Sequence, residues 1–414
     1  MRTFLSLFFS AVLVLFFTSC YQITSPEDGG PVELTKVEEQ ISEADNNFGF
    51  NLLRTLSEET PAENQFISPF SISMALGMTL NGARNDTYDD MKEVLGYGDL
   101  TQDEINRAYK NLLQLFSTLD SQVQFDIANS IWTRLGFPVE QDFYDVNVNY
   151  FDAEVRELDF NLSDAPDIIN DWIAGKTQDK ITDVIGPIDP DVIMYLINAI
   201  YFNGTWTYEF KEQDTRERTF YLADESQMQT PMMTQTNDFY YYEDDAVQVI
   251  DLPYGNGDYA MTVILPASDM GVDALLADLD SETWADWTGS LEEKKGNITL
   301  PKLKLKWKKE IQKYLRDLGM GIAFSPGAAD FTGINSKGGL FISKVIHESF
   351  LKMDEEGTEA AAVTVVEIKL TSAGSENSLD FSMTVDRPYL MAIRERSSNS
   401  LLFLGKIMQP EWSD

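Results

Sequence analysis

Hydrophobic and polar positions recur with two different periods along this chain, and each change of period marks an element. Val37, Ile41, Ala44, Phe48 and Leu52 fall at helical spacing and predict an amphipathic helix where folded sequence begins. Asn64–Asn81 (NQFISPFSISMALGMTLN) reads as a short strand, a Ser-Pro break and an apolar helix starting near Ser71. Thr101 with Glu104 makes a capping box ahead of Ile105, Ala108, Leu112 and Leu115, which predicts another helix. Phe125–Thr133 reads as a strand and Asp167–Thr177 as a helix. Val192–Phe202 (VIMYLINAIYF) is apolar almost throughout, so a central strand covered on both faces is expected. Asn198 is the polar exception inside it and needs partners there. Leu252–Leu265 reads as a hairpin turning at Gly255-Asn256-Gly257.

The most telling stretch is Asp354–Ser372 (DEEGTEAAAVTVVEIKLTS). At a period of two, one face carries Thr358, Ala360, Ala362, Thr364, Val366, Ile368 and Leu370, none of them charged. The other face carries Glu359, Ala361, Val363, Val365, Glu367 and Lys369, a mixed surface suited to solvent. The β-branched run predicts a half-buried strand, yet the three alanines are weak strand formers and the stretch ends in loop composition, TSAGSENS. A segment patterned as a strand and placed like a loop implies two states. The plainer reading is an edge strand followed by a loop.

Composition narrows the chemistry. A chain of 414 residues with 43% hydrophobic and 12% aromatic content has material for a large core. A formal charge of −37 argues against a nucleic-acid partner. One histidine, His347, and one cysteine, Cys20, leave no internal disulfide framework and no Cys/His zinc site, so neither metal nor cofactor is expected. Any His-based triad must use His347, and a lone histidine on an apolar strand (FISKVIHESFLK) is ordinarily a satisfied core residue. Ile298–Trp307 (ITLPKLKLKW) predicts one strand with an apolar face and a basic face running from Lys302 to Lys308. That row either binds a polyanion or an acidic protease patch, or keeps an exposed sheet face soluble and unpaired, and the second reading is favoured.

EEGTEAAA with its β-branched sequel closely resembles the hinge and reactive-centre loop of the serpins, protease inhibitors that act by loop insertion. LINAIYFNGTW, the Asn64–Asn81 segment, and VDRPYLMAI followed by FLGKIMQP are also serpin-like, in the family's order, from about residue 37 to residue 411. One departure stands in the last signature, where Tyr389 replaces the usual Phe. The resemblance implies a mixed α/β fold, residues 37–414, with three β-sheets, about eight to nine helices and an exposed reactive-centre loop. It makes Glu355, Glu356, Gly357, Thr358, Glu359, Ala360, Ala361 and Ala362 the hinge. It gathers Ser71, Asn198 and His347 into a structural cluster under the main sheet.

The implied activity is suicide inhibition of serine, and by extension cysteine, endopeptidases, by a chain that is not itself an enzyme. The protease attacks the loop and forms an acyl-enzyme, and the loop then enters the main sheet, a mechanism the family is known for. About fourteen inserted residues at ~3.3 Å each carry the protease roughly 45 Å. The family's spacing from Glu355 places the bond at Thr371-Ser372. Counting back from the C-terminal signature lands near Asn377, so the loop is long on that side. Lys369-Leu370 is the alternative that a trypsin-like enzyme prefers, with an inserted arm about 7 Å shorter. A non-inhibitory serpin-fold binding protein is the competing reading, and the uncharged face from Thr358 to Leu370 disfavours it.

Residues 1–19 read as a signal peptide, with Arg2 before an apolar run. Phe17-Thr18-Ser19-Cys20 resembles a bacterial lipoprotein box that would make Cys20 the lipidated first residue, and plain secretion is the alternative. Residues 20–36 then form a flexible tether, so a monomer anchored on a bacterial cell envelope is expected.

Overall fold

Thr35 opens the first helix by a reciprocal cap: its hydroxyl accepts from the Glu38 amide, and the Glu38 carboxylate accepts from the Thr35 amide at 2.7 Å. This helix, α1 (Lys36–Glu59), buries Ile41, Ala44, Phe48 and Leu52 along the expected stripe. The structure, a computed structural model, describes residues 33–358 and 379–412. The next helix, α2 (Pro69–Leu80), begins two residues before the expected start. Ser68 caps it by accepting from the Ser71 amide, and Pro69, which has no N–H to lose, takes the first helical position. The remaining helices are α3 (Asn85–Val94), α4 (Gln102–Thr118), α5 (Gln141–Phe151), α6 (Ala165–Lys176), α7 (Val272–Asp278), α8 (Ser281–Gly289) and the single turn α9 (Gln312–Leu315). The Thr101–Glu104 box caps α4.

The strands are β1 (Gln65–Ile67), β2 (Val123–Arg134), β3 (Glu154–Leu158), β4 (Met194–Thr205), β5 (Arg216–Tyr221), β6 (Gln227–Glu243), β7 (Val247–Tyr254) and β8 (Tyr259–Pro266). After them come β9 (Glu292–Pro301), β10 (Leu303–Glu310), β11 (Ile346–Met353), β12 (Gly357–Thr358), β13 (Phe381–Thr384), β14 (Tyr389–Glu395) and β15 (Leu401–Ile407). One sheet has the order β10-β11-β12-β4-β2-β3. The other runs β1-β15-β14-β8-β7-β6-β9-β13, with β5 on β6. Two sheets stand among the described residues where three were expected, because β6 links its neighbours into one. The 17-residue β6 pairs with β5 and β9 along most of its length and passes its last four residues, Tyr240–Glu243, to β7. β7 and β8 form the expected hairpin around Gly255–Asp258.

Two expectations need correction. Ile298–Trp307 is two strands in different sheets. β9 ends at Pro301, the Lys302 amide makes one last bond to β6 at the Pro231 carbonyl (2.9 Å), and from Leu303 the chain pairs with β11 in the other sheet. β4 starts at Met194 and is buried from Ala199 to Phe202, whereas Met194–Asn198 is only half-buried. α2 packs beneath it and α6 lies on the opposite face, where Trp132, Phe160, Ile169, Trp172 and Ile173 form a second, smaller core. Cover is therefore present on both faces, and the exposure of Met194–Asn198 comes from the strand's edge.

Candidate functional site

β4 and β11 lie in the middle of the six-stranded sheet, and each is fully engaged on one side. β4 pairs with β2 over eleven positions and β11 with β10 over eight. Toward each other they are joined only by the two-residue β12: Met353 pairs with Thr358, while Thr205 and Gly204 pair with Gly357 and Thr358. Beyond those residues the described chain places no strand between them. β12 is antiparallel to both neighbours, so a strand continuing from Thr358 would run antiparallel to each. Interior strand edges left without a ladder are a template for strand addition. Among the described residues the sheet has a seam between β4 and β11, and Gly357-Thr358 sit at its end paired to both strands.

The turn that feeds the seam is held on every side. The Asp354 amide donates to the Gly357 carbonyl at 3.0 Å, and the Glu356 amide donates to Asp354 Oδ1 at 3.2 Å. Backbone amides of Trp206 and Phe210 donate to the Glu356 and Glu355 carbonyls, each at 2.9 Å, and Trp206 Nε1 donates to the Asp354 carbonyl at 2.9 Å. Glu355 is 7% exposed, and its carboxylate accepts from Lys302 Nζ and Thr215 Oγ1, both at 2.7 Å. Burial works against its ionisation, but those two donors outweigh burial and hold the carboxyl below its ordinary value. Lys352 meets Asp354 at 2.7 Å.

Thr358 is 2% exposed and shares a hydrogen bond with the Tyr254 hydroxyl. The Tyr254 ring stacks on Trp206 with centroids 4.5 Å apart. Gly357 has a steric reason to be glycine: a Cβ there would lie 2.2 Å from the Gly204 carbonyl oxygen and 2.8 Å from Thr205 Cα.

Beneath the sheet, Ser71 Oγ donates to Asn198 Oδ1, Asn198 Nδ2 donates to Asn129 Oδ1 at 2.7 Å, and Asn129 Nδ2 donates to the Phe151 carbonyl at 2.6 Å. His347 sits one step apart from this chain. Its Nε2 accepts from the Ser68 amide at 3.0 Å, and the Ser68 hydroxyl in turn accepts from the Ser71 amide. The structure thus brings Ser71 to Asn198 directly and reaches His347 through Ser68. Burial pushes His347 down to about 3, so it is a neutral acceptor at ordinary pH. Ser71 Oγ spends its proton on Asn198, which leaves no serine–histidine dyad here.

Most of the lysine row lies on β10, an edge strand of its sheet, with Lys306 and Lys308 exposed as the favoured reading expects, and three of the lysines also carry ion pairs. Lys302 holds Glu355, while Lys306 and Lys308 approach the two oxygens of the buried Glu348 at 3.0 and 3.5 Å. No aligned hydrogen bond reaches Glu348 among the described residues, so charge proximity alone compensates its burial. Tyr389 is fully buried, and its hydroxyl has no partner among the described residues. Sequence reasoning missed Trp206, Thr215, Tyr254 and Lys302 as hinge supports. One clue was available, since a hinge glutamate beside an apolar strand requires a cation. Glu359, Ala360, Ala361, Ala362, Lys369, Leu370, Thr371, Ser372 and Cys20 lie outside the described residues.

A family model described as Serpin (serine protease inhibitor) matches residues 43–410. Iripin-3 from Ixodes ricinus is 33% identical over 401 residues, covering 94% of this chain and 98% of its own. Among solved structures, the thermophilic serpin tengpin in its native state superposes with a TM-score of 0.81 at 29% identity, over 92% of this chain and 97% of its own. Human thyroxine-binding globulin complexed with thyroxine gives 0.81 at 28%, over 91% and 100%. Matched by the family model over residues 43–410 and by relatives along most of its length, the chain belongs to the serpin family.

Proposed function

We propose that this chain is a suicide inhibitor of serine endopeptidases, with cysteine endopeptidases open to the same acyl-enzyme trap. As a member of a family of inhibitors it is not an enzyme. The observation that carries the proposal is the seam between β4 and β11, which accepts one antiparallel strand starting at Gly357-Thr358. A target attacks the loop at Thr371-Ser372 or at Lys369-Leu370. The freed arm then continues from Thr358 down the seam. Roughly a dozen new ladder hydrogen bonds at about 1 kcal/mol net each, with Val366 and Ile368 buried, supply the driving force. The exposed-loop form is accordingly the kinetically trapped one.

The similarity to thyroxine-binding globulin supports a second reading, a binding module on the same fold. The two readings part on the gel. The purified chain is mixed with elastase-like, trypsin-like and papain-like proteases and run under denaturing conditions, and the released peptide is weighed by mass spectrometry. Inhibition predicts a stable adduct with a peptide starting at Ser372 or Leu370. Cleavage without adduct in all three classes would overturn it.

The location belongs to the same proposal: export, removal of residues 1–19 and lipidation of Cys20 on a bacterial envelope, as a monomer tethered by residues 20–36. The Phe17–Cys20 box, occupied by the sole cysteine of the chain, supports this. Mass analysis of the mature N-terminus should find a diacylglyceryl group on Cys20. An unmodified, freely secreted N-terminus would refute it.

A further inference from the structure

The segment after β15 does not trail into solvent. Asn64 Oδ1 accepts from the amides of Met408 and Gln409 at 2.8 and 3.0 Å, and the Lys304 amide donates to the Glu411 carbonyl at 2.7 Å. These bonds deliver the half-buried Trp412 to two ammonium groups, with Lys302 Nζ 4.1 Å and Lys352 Nζ 5.9 Å from its ring centroid. They are the same two lysines that hold the hinge turn, Lys302 on Glu355 and Lys352 on Asp354. The Lys302–Glu355 pair is largely out of water, with side chains 16% and 9% exposed. A cation in such a place is strengthened by an aromatic face more than an exposed one is.

We propose that Trp412 is a positioning residue for loop insertion. By holding both lysines over Asp354–Gly357, it fixes the turn in the register from which the inserted strand grows. The proposal rests on the inhibitor reading. After acylation two steps compete: insertion, which traps the protease, and deacylation, which releases it along with cleaved inhibitor. In this proposal Trp412 acts through Lys302 and Lys352. It speeds the first step by keeping Gly357-Thr358 seated, so that the next residue pair forms without a search.

The test uses the full chain as wild type, Trp412→Ala and Trp412→Phe, with a protease that the wild type traps. The readout is the ratio of cleaved free chain to covalent adduct. Trp412→Ala should raise that ratio about fivefold, the size a partly desolvated cation–π contact confers. Trp412→Phe, which keeps an aromatic face, should restore it to within about twofold. The urea midpoint of the intact chain is followed alongside. A midpoint that falls with an unchanged ratio means a merely structural role and overturns the proposal, as does a ratio that Phe does not rescue. If the wild type forms no adduct with any protease, the inhibitor reading fails and carries this proposal with it. That result is distinguishable from a trapping wild type with a variant that traps equally well.

Discussion

Replacing Thr358 with arginine places a guanidinium at the mouth of the seam. The native side chain there is 2% exposed and faces the Tyr254 hydroxyl, beside the stacked Trp206 and Tyr254 rings. Three carboxylates lie on the adjoining turn: Lys302 already occupies Glu355 and Lys352 occupies Asp354, while Glu356 is half-buried. A guanidinium buried in the sheet at this position without a counter-ion costs roughly 4 kcal/mol. Thr358 is already seated in the intact chain, so an arginine there is unseated and must be buried again in the first step of insertion, which slows about a thousandfold, since each 1.36 kcal/mol is about tenfold in rate. Deacylation, which belongs to the protease, is untouched. Thr358→Arg should thus be cleaved at the loop as fast as wild type while giving almost no denaturant-stable adduct. Thr358→Val, equally small and uncharged, should keep most of it. The assay is the adduct-to-cleaved ratio on a denaturing gel over a titration of protease. An arginine variant that traps as efficiently as wild type would falsify the insertion argument, because a charge would then have entered the sheet at no cost.

Gly357→Ala brings a Cβ against the Gly204 carbonyl and the Thr205 backbone, neither of which can move cheaply, so about 2 kcal/mol of destabilisation at the hinge is expected. A lower midpoint in urea together with a smaller adduct fraction would show it, and an unchanged midpoint would refute it. His347 titrates near 6.5 when unfolded and is pushed down to about 3 when folded. As pH falls below 6.5 the unfolded chain takes a proton that the folded chain refuses, so stability drops, by roughly 2 kcal/mol at pH 5. Burial raises the Asp45 carboxyl, which acts in the opposite direction. The histidine contribution is therefore read as the difference in unfolding midpoint between wild type and His347→Gln from pH 7 to pH 5, and parallel curves would refute it. Tyr389→Phe removes a buried hydroxyl that has no partner among the described residues and should stabilise the fold by about 1 kcal/mol. A lower melting temperature in that variant would mean that the hydroxyl is satisfied.

What could be read from sequence was whatever depends on near neighbours. The α1 stripe and the Thr101–Glu104 box are matters of spacing and side-chain type, and both stand in the structure as expected. The expected hinge begins at Glu355-Glu356-Gly357, where the structure shows a held turn, and the uncharged alternating face beyond Thr358 lies outside the described residues. Long-range pairing was not legible. The ion pairs of the lysine row were not visible because burial of Glu348 and Glu355 depends on strands far away in the chain. Pro301 could have signalled the end of β9, but the regular spacing of Leu303, Leu305 and Trp307 beyond it masked the change of sheet. The apolar run around β4 predicted cover above and below, which α6 and α2 provide, and periodicity says nothing about an edge. Nor could spacing show that Trp412, placed after the last signature, returns to the hinge.

The central claim is that cleavage lets the loop complete the β4–β11 seam, and calorimetry of the chain before and after a single cut in Lys369–Ser372 tests it most directly. The account predicts that the cut chain, with its two pieces still associated, melts far above the intact chain, because the new strand satisfies both open edges. A cut chain that melts at or below the temperature of the intact one would contradict it, since the seam would then have stayed empty.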